Sequence, residues 1–208
     1  MRLCYLFHQY HRAIEFSTFA EKYLEGVTAT QTVVQFYFYD CLIRTAIYPF
    51  SDRKRQNKII QRVRSNIKRM KKWAHFSKIN HCHKHHIMQA ELLRVTGNFD
   101  DSLIHYKEAI TWAQKSEYIN DEAIANELAA QMYLILSDWD NARLYMYRAR
   151  QCYLQWGAIG VVKFLEERYY QLFEGIMGSE KNEEKILIWF LLQKHHKRFP
   201  ERFYWIVY

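Results

Sequence analysis

The sequence predicts an all-helical protein built from antiparallel helix pairs, and three observations lead to this fold class. Turn-forming residues are scarce, with 6 glycines and 2 prolines among 208 residues, whereas a strand-rich or dinucleotide-binding fold needs many more. Half of the residues are apolar and 17% are aromatic, which is enough to bury a sizeable core and argues against disorder. A motif of aromatic and small residues also recurs at a spacing that suits one face of a helix.

The recurring motif consists of an aromatic residue, a small residue three positions later and an alanine seven positions after that. On a helix these positions form one stripe, where small side chains let a neighbouring helix approach closely and the aromatic ring fills the corner between helices. A further core position follows the small residue by four. The three copies are Tyr10-Ala13-Ala20 with Ser17, Phe99-Ser102-Ala109 with Tyr106, and Trp139-Ala142-Ala149 with Met146.

The spacing of the copies indicates the kind of helical array. The last two copies begin at Phe99 and Trp139, an interval close to the tetratricopeptide period of ~34 residues with a longer loop. We therefore expect a tetratricopeptide-like solenoid of antiparallel helix pairs, with roughly 9 to 10 helices. Pro49 ends the third helix, because proline cannot continue it. The predicted helical segments are 1–7, 12–24, 30–48, 53–75, 79–96, 100–116, 121–136, 141–156 and 158–173.

Capping signals support these boundaries. Gly97 stands where a helix ends in left-handed geometry, and His8 and Ser137 occupy the same place in the other two copies. Carboxylates near predicted N-termini accept hydrogen bonds from free N–H groups and favour the helix dipole. The aspartates at such positions are Asp100, Asp121, Asp138 and Asp140.

The cysteines and the hydropathy of the sequence indicate the cellular compartment of the protein. The four cysteines lie far apart and form no CxxC pair, so disulfides and a cysteine-based zinc site are not expected. No basic region followed by an apolar run marks a signal peptide, and no uncharged apolar stretch approaches the ~20 residues of a membrane span. We therefore expect a soluble, cytoplasmic protein. The cysteines, read as small buried apolar residues, are Cys4, Cys41, Cys82 and Cys152.

Several segments together resemble the helical region of large bacterial signalling proteins. These proteins join a serine/threonine kinase domain, an AAA-type ATPase, this helical region, a GAF sensor and often a histidine kinase. The resemblance covers roughly residues 1–172 and depends on the order and spacing of short motifs. Those motifs are AIANELAA at 123–130, the 142–149 segment, YLQWGA at 153–158, AEKYLEGVT at 20–28, FYD at 38–40 and MKKWAH at 70–75.

This resemblance implies a helical region cut from a longer architecture. The chain contains neither the GxxxxGK[ST] loop of a P-loop ATPase nor the GxGxxG, HRD and DFG motifs of a protein kinase, on which phosphoryl transfer by these domains depends. We expect a repeat domain over 1–173, whose first repeat lacks most of its leading helix. Residues 174–208 form a divergent C-terminal segment with an aromatic, β-prone tail. Either this segment belongs to no family domain, or residues 185–197 form an ordinary closing helix.

A strongly basic helix is the most unusual local feature. The protein has a net charge of +8, and residues 53–72 hold ten lysines and arginines and no acid. Ile59, Val63, Ile67 and Met70 form a narrow apolar stripe, so the basic residues face outward. A functional interpretation is contact with nucleic-acid phosphates or anionic lipid headgroups, and the alternative is an ordinary solvated face. The candidate anion-binding residues are Arg62, Arg64, Lys68 and Arg69.

A histidine-rich stretch over residues 75–86 raises the question of a metal site. His81 and His85 are four residues apart, as are Cys82 and His86, so each pair could reach one ion. The two pairs point about 100° apart around the helix. We therefore expect no physiological metal and no cofactor.

The sequence leads to a non-catalytic scaffold as the predicted function. No hydroxyl, thiol or carboxylate set has the arrangement of a catalytic centre. We expect protein–protein contact or interdomain spacing, with a protein or peptide partner and no small-molecule substrate. One alternative is a basic protein that associates with nucleic acid or anionic membrane through residues 53–72. Another is a gene remnant without independent function.

Overall fold

A computed structural model describes residues 1–27 and 31–174. In this part of the chain every regular element is helical. The chain divides into two compact units, Met1–Arg168 and Tyr169–Tyr208. The helices of the first unit are α1 (Arg2–Leu6), α2 (Tyr10–Glu21), α3 (Gln31–Ile47), α4 (Arg53–Phe76), α5 (Lys78–Val95), α6 (Phe99–Lys115), α7 (Ile119–Ile135), α8 (Trp139–Gln155) and α9 (Ile159–Arg168).

The all-helical prediction is confirmed for the described residues, and most predicted helix limits lie within two residues of the observed ones. Short 3₁₀ turns cover Leu24–Val27 and Tyr48–Phe50, and the second contains Pro49 at the end of α3. Within the second unit the described residues form one turn, α10 (Tyr170–Phe173). The predicted domain limit at 173/174 stays a prediction, and the predicted helix 185–197 and the aromatic tail lie outside the described residues.

Four corners between helices share one geometry at intervals of 20 residues. Gly97, Glu117, Ser137 and Gly157 have φ values of 85°, 58°, 60° and 80°. At each corner the next residue donates its N–H to the carbonyl five residues earlier, at 2.9 Å. This is the Schellman pattern, which satisfies carbonyls at the end of a helix. His8 has the same left-handed backbone, with φ 53°. The corner fixes where the next helix starts, so α6, α7, α8 and α9 begin 20 residues apart.

Each helix packs on its neighbour in sequence, and alternate helices also touch. The most extensive contacts join α7 to α8 and α5 to α6. In addition, α3 packs on α5, α5 packs on α7, and α1 packs on α3. We call α3, α5 and α7 the inner row. Residues 123–130 of α7 are all buried, so this helix is surrounded on every side.

The ends of the helices follow from a few side chains. Asp52 caps α4, because its carboxylate accepts a hydrogen bond from the Arg55 N–H at 2.8 Å. Asp138 caps α8 in the same way through the Asn141 N–H at 3.1 Å. Asp100 and Asp140 lie in first turns, where their charge suits the helix dipole. Asp121 also lies in a first turn, but its side chain is buried and pairs with another helix.

Candidate functional site

The motif residues form the contacts between helices, with Ser102 as an example. Its hydroxyl donates to the Ala90 carbonyl at 2.9 Å, so α6 lies directly against α5. Eight of the motif residues are buried, whereas Tyr10, Ala20 and Phe99 are partly exposed and Gly97 is exposed at its corner. The buried ones are Ala13, Ser17, Ser102, Tyr106, Ala109, Ala142, Met146 and Ala149.

Trp139 departs from the role that the motif assigns to its aromatic position. We expected the ring to fill the corner between helices, but Trp139 is 50% exposed. The corner there is held by the backbone of Ser137 and by the Asp138 cap instead. The spacing of the motif correctly predicts that Trp139 lies on this helix, but it does not determine how deeply the ring is buried.

The short helix α1 covers the inner row. Tyr5 is 6% exposed and its ring meets that of Tyr39 on α3, with centroids 5.8 Å apart. At the end of α1, the His8 Nε2 lies 2.7 Å from the Glu127 Oε1 on α7. Glu127 also accepts a hydrogen bond from the Tyr153 hydroxyl at 2.8 Å. These contacts place α1 and the residues at its end against α3 and α7 of the inner row.

Buried carboxylates tie the helices together through contacts that the sequence pattern did not predict. Lys84 and Asp121 are both fully buried, with the Lys84 Nζ 2.5 Å from an Asp121 oxygen. The His83 Nε2 lies 3.0 Å from the same oxygen. Burial alone would raise the pKa of Asp121, but the His83 hydrogen bond and the Lys84 charge hold it below its ordinary value. The Lys84 ammonium also lies 4.5 Å from the centroid of the Tyr118 ring.

Asp40 organises a second cluster between α2, α3 and α4. It accepts hydrogen bonds from Ser17 at 2.7 Å, Arg44 at 2.8 Å and Asn66 at 2.8 Å. Burial would raise the pKa of Asp40, whereas the hydrogen bond and charge of Arg44 lower it below its usual range. Arg62 completes the set at 3.1 Å. The carboxylate therefore stays ionised and joins three helices.

Glu91 is the centre of a third cluster, between α3, α5 and α6. Its carboxylate accepts hydrogen bonds from Thr45 at 2.7 Å, from Arg94 at 2.7 Å and from the Tyr106 hydroxyl. Burial would raise the pKa of Glu91, but the Arg94 charge lowers it below its ordinary value. Each of these three carboxylates thus has a cation beside it and accepts at least one hydrogen bond from another helix. These contacts join the helices to one another.

The histidine-rich stretch forms pairs with other helices. The Nδ1 atoms of His86 and His105 lie 2.9 Å apart, so one ring donates to the other. Burial and the neighbouring histidines lower the pKa of His85 to about 4. Over residues 1–27 and 31–174, no group of three or more histidine, cysteine, aspartate or glutamate side chains is arranged to hold a metal ion. The proposed pairs His81–His85 and Cys82–His86 do not converge with a further ligand.

The outer surface of α4 is basic over its whole length. Ile59, Val63, Ile67 and Met70 are buried beneath it, as the sequence predicts. Nine of the ten basic residues are exposed, and within the described part of the chain none of these nine forms an ion pair. We call these nine residues the basic face: Arg53, Lys54, Arg55, Lys58, Arg64, Lys68, Arg69, Lys71 and Lys72.

Arg62 is a correction to the candidate anion-binding set. Its guanidinium lies 2.6 Å from Glu21 and 3.1 Å from Asp40, so its charge is already balanced within the protein. The other three candidates, Arg64, Lys68 and Arg69, are exposed and belong to the basic face. The structure therefore leaves Arg62 a packing role between α2, α3 and α4.

The described residues of the first unit line two grooves of notable size. One, of about 650 Å³, lies between α1, α2 and α3 and includes Ala20, Phe36 and Tyr39 in its lining. The other, of about 520 Å³, lies between α6 and α8 above the start of α7, and we call it the α6–α8 groove. The sequence motif predicts neither groove, because its residues form contacts inside the array. The lining of the α6–α8 groove is Lys107, Ile110, Thr111, Gln114, Glu122, Tyr145, Tyr147, Arg148, Gln151 and Cys152.

Comparison with known proteins gives one partial match. A stretch of 60 residues, 29% of this chain, is 37% identical to the hybrid signal transduction histidine kinase G of Dictyostelium discoideum. The match spans 2% of the length of that protein. No family model and no solved structure matches the chain. Among the described residues, no helix is both long and apolar enough to cross a membrane.

Proposed function

We propose that this chain is a tetratricopeptide-like helical-repeat module that binds a protein partner in the α6–α8 groove and carries out no chemistry itself. The corners repeated at 20-residue intervals, together with the contacts between alternate helices, support a solenoid of helix pairs. The partial match to a hybrid histidine kinase supports a place in a multidomain signalling protein. The four free cysteines fit a cytoplasmic location.

The single observation that carries the partner-binding role is the position of the α6–α8 groove. Since α1 covers the inner row, an incoming peptide would meet the outer helices instead. The α6–α8 groove lies where two successive outer helices of the repeat diverge over α7, and its volume of about 520 Å³ admits several side chains.

The lining of the groove indicates the chemistry of its partner. The Tyr145 side chain is 8% exposed, and the Arg148 guanidinium lies 5.4 Å from its ring centroid. Lys107 adds a second cation, while Glu122 is engaged by the Gln114 amide at 2.8 Å. Burial, reinforced by Glu122, raises the pKa of Cys152 to about 12, so the thiol stays neutral. We infer a peptide that combines an acidic residue with an apolar or aromatic one.

A displayed library of random peptides tests this proposal. The full chain is used to select binders, and the affinity of the best peptide is measured by calorimetry against the wild type and an Arg148→Glu variant. We expect selected peptides to contain an acidic residue and to bind the variant at least tenfold more weakly, because one cation of the groove becomes an anion.

Arg143→Glu is the matched control. Arg143 is exposed on the same helix and does not line the groove, so its variant carries the same change in charge. We expect its affinity to stay within about twofold of the wild type, as for a charge on the rim of an interface. Equal losses in the two variants, or a failure to select any peptide, would contradict the proposed function.

Interdomain spacing is the second candidate role. The corners lock successive helices in one geometry, so the first unit has the properties of a rigid spacer. The match to a long signalling protein favours such a role, since that protein extends far beyond the matched segment.

A further inference from the structure

We propose that the basic face of α4 docks on an anionic lipid bilayer, with Phe50 and Phe76 entering the headgroup region. This inference is independent of the α6–α8 groove, because α4 contributes no residue to that groove.

The distribution of charge is the first argument. The basic face runs along a helix of 24 residues, about 36 Å long. Its nine exposed cations spread over about 200° of the helix surface, at 100° per residue. Between Arg53 and Phe76 there is no acidic residue, and the Asp52 carboxylate at the N-terminus is engaged as the cap. Such a field attracts a surface of opposite charge.

Two exposed phenylalanines at the ends of α4 are the second argument. Phe50 is 82% exposed in the 3₁₀ turn that precedes the helix, and Phe76 is 86% exposed as its last residue. Ile79, 61% exposed, follows at the corner beside the exposed Lys78. Each end of the basic face therefore joins a protruding apolar side chain to cations. This combination is typical of proteins that lie on a membrane surface.

The arrangement favours a bilayer over nucleic acid. The apolar stripe of α4 is buried in the protein, so lipid contact would depend on the cations and on the two phenylalanines. A bilayer offers anionic headgroups with an apolar layer beneath them, which matches both components. Stacking on single-stranded bases needs aromatic rings interleaved with the cations. Trp73 is the one phenylalanine, tyrosine or tryptophan among the described residues of α4 before Phe76. It is partly buried, and the centroid of its ring lies 5.8 Å from that of Tyr37.

Vesicle flotation with the full chain tests the proposal. Vesicles of pure phosphatidylcholine are compared with vesicles that contain 30% phosphatidylserine, at low, physiological and high salt. We expect binding to the anionic vesicles alone and a steep fall with salt, because the attraction is screened. Changing Arg64, Lys68, Arg69 and Lys72 to Gln should weaken partitioning by roughly 600-fold, since each of the four cations contributes about fivefold.

A matched charge control separates the basic face from net charge. Arg12, Lys115, Arg143 and Lys163 are also exposed and line neither groove, and their change to Gln removes the same charge from other helices. We expect this control to bind within about threefold of the wild type. Circular dichroism checks that each variant is folded. Absence of binding by the folded wild type at low salt, or equal losses in the two quadruple variants, would overturn the proposal.

The phenylalanines distinguish a bilayer from nucleic acid. Phe50→Ser/Phe76→Ser should weaken vesicle binding by about tenfold and abolish what remains at high salt, because the apolar contribution is lost. Binding of the wild type to a 30-base-pair duplex is measured under the same conditions. Tighter binding to the duplex than to anionic vesicles, with no effect of the phenylalanine change, would assign the face to nucleic acid and overturn the lipid proposal.

Discussion

At the scale of single residues, stability depends on buried charges that are balanced between helices. Asp40 accepts hydrogen bonds from two other helices, and Glu91 accepts them from Arg94 and from the neutral Thr45 hydroxyl. Asp121 accepts them from the Lys84 cation and from His83. Ionised groups of this kind are costly to bury, so each cluster is stabilising only as a complete set. A partial set leaves a charge without compensation.

Lys84 provides the sharpest test of this dependence. Lys84→Met removes the cation that pairs with Asp121 and leaves the carboxylate buried, so we expect a loss of about 3–5 kcal/mol in the free energy of unfolding. Urea unfolding followed by circular dichroism measures the loss. The double variant Lys84→Met/Asp121→Asn should recover much of it, because no unpaired charge remains. If the losses from Lys84→Met alone and from Asp121→Asn alone simply add in the double variant, the two residues are not coupled and the prediction is wrong.

Acidification should lower the stability of the fold through the histidines at the α5–α6 contact. The pKa of His85 is lowered to about 4, against an ordinary value of 6.5. Between these values the unfolded chain binds a proton that the folded chain does not, so stability falls as pH drops from 7 to 5. His85→Gln should lose less stability over this range than the wild type, by urea unfolding at both pH values. His75→Gln, at an exposed position, is the control and should follow the wild type.

At the scale of elements, the repeated corner determines the array. The left-handed residues Gly97, Glu117, Ser137 and Gly157 set the start of each following helix, and two of them are not glycine. A non-glycine residue in this conformation is strained. The corners are therefore places where stability can be changed without altering side-chain packing.

Glycine substitutions test the corners directly. Gly97→Ala and Gly157→Ala should each lower the free energy of unfolding by about 1–2 kcal/mol, because a residue with a Cβ is strained in the left-handed conformation. An added Cβ would meet no atom within 4 Å at either position, so no steric contact adds to this cost. Ser137→Gly should instead be neutral or stabilising. Thermal unfolding compares these with Gly26→Ala, at a glycine with equally open space and no positive φ. A neutral effect at both Gly97 and Gly157 would contradict this account of the corners.

The sequence predicted the helices better than the contacts between them. Apolar stripes such as Ile59–Met70, the Asp138 cap and the Pro49 stop are local signals, so the helix limits could be predicted. The pairing of Lys84 with Asp121 joins residues 37 positions apart, and that of His8 with Glu127 joins residues 119 apart. No local pattern encodes such pairs. The α6–α8 groove was missed for the same reason, since its lining comes from three helices.

At the scale of the whole molecule, binding surfaces lie on the outside of the helical array. With α1 over the inner row, the α6–α8 groove and the basic face of α4 are the two surfaces that we assign to partners. They involve different helices and different chemistry, one a small mixed groove and the other an extended cationic strip. A module that binds a peptide and a bilayer at separate places could hold a signalling protein at a membrane surface.

The central claim is that a protein partner occupies the α6–α8 groove. Methyl resonances observed by NMR during titration with the selected acidic peptide test it most directly. We expect shifts of the methyl resonances of Ile110 and Thr111, which line the groove, while those of Ile59 beneath α4 stay unchanged. Shifts concentrated at the groove between α1 and α3, or at α4, with Ile110 and Thr111 unaffected, would contradict the claim.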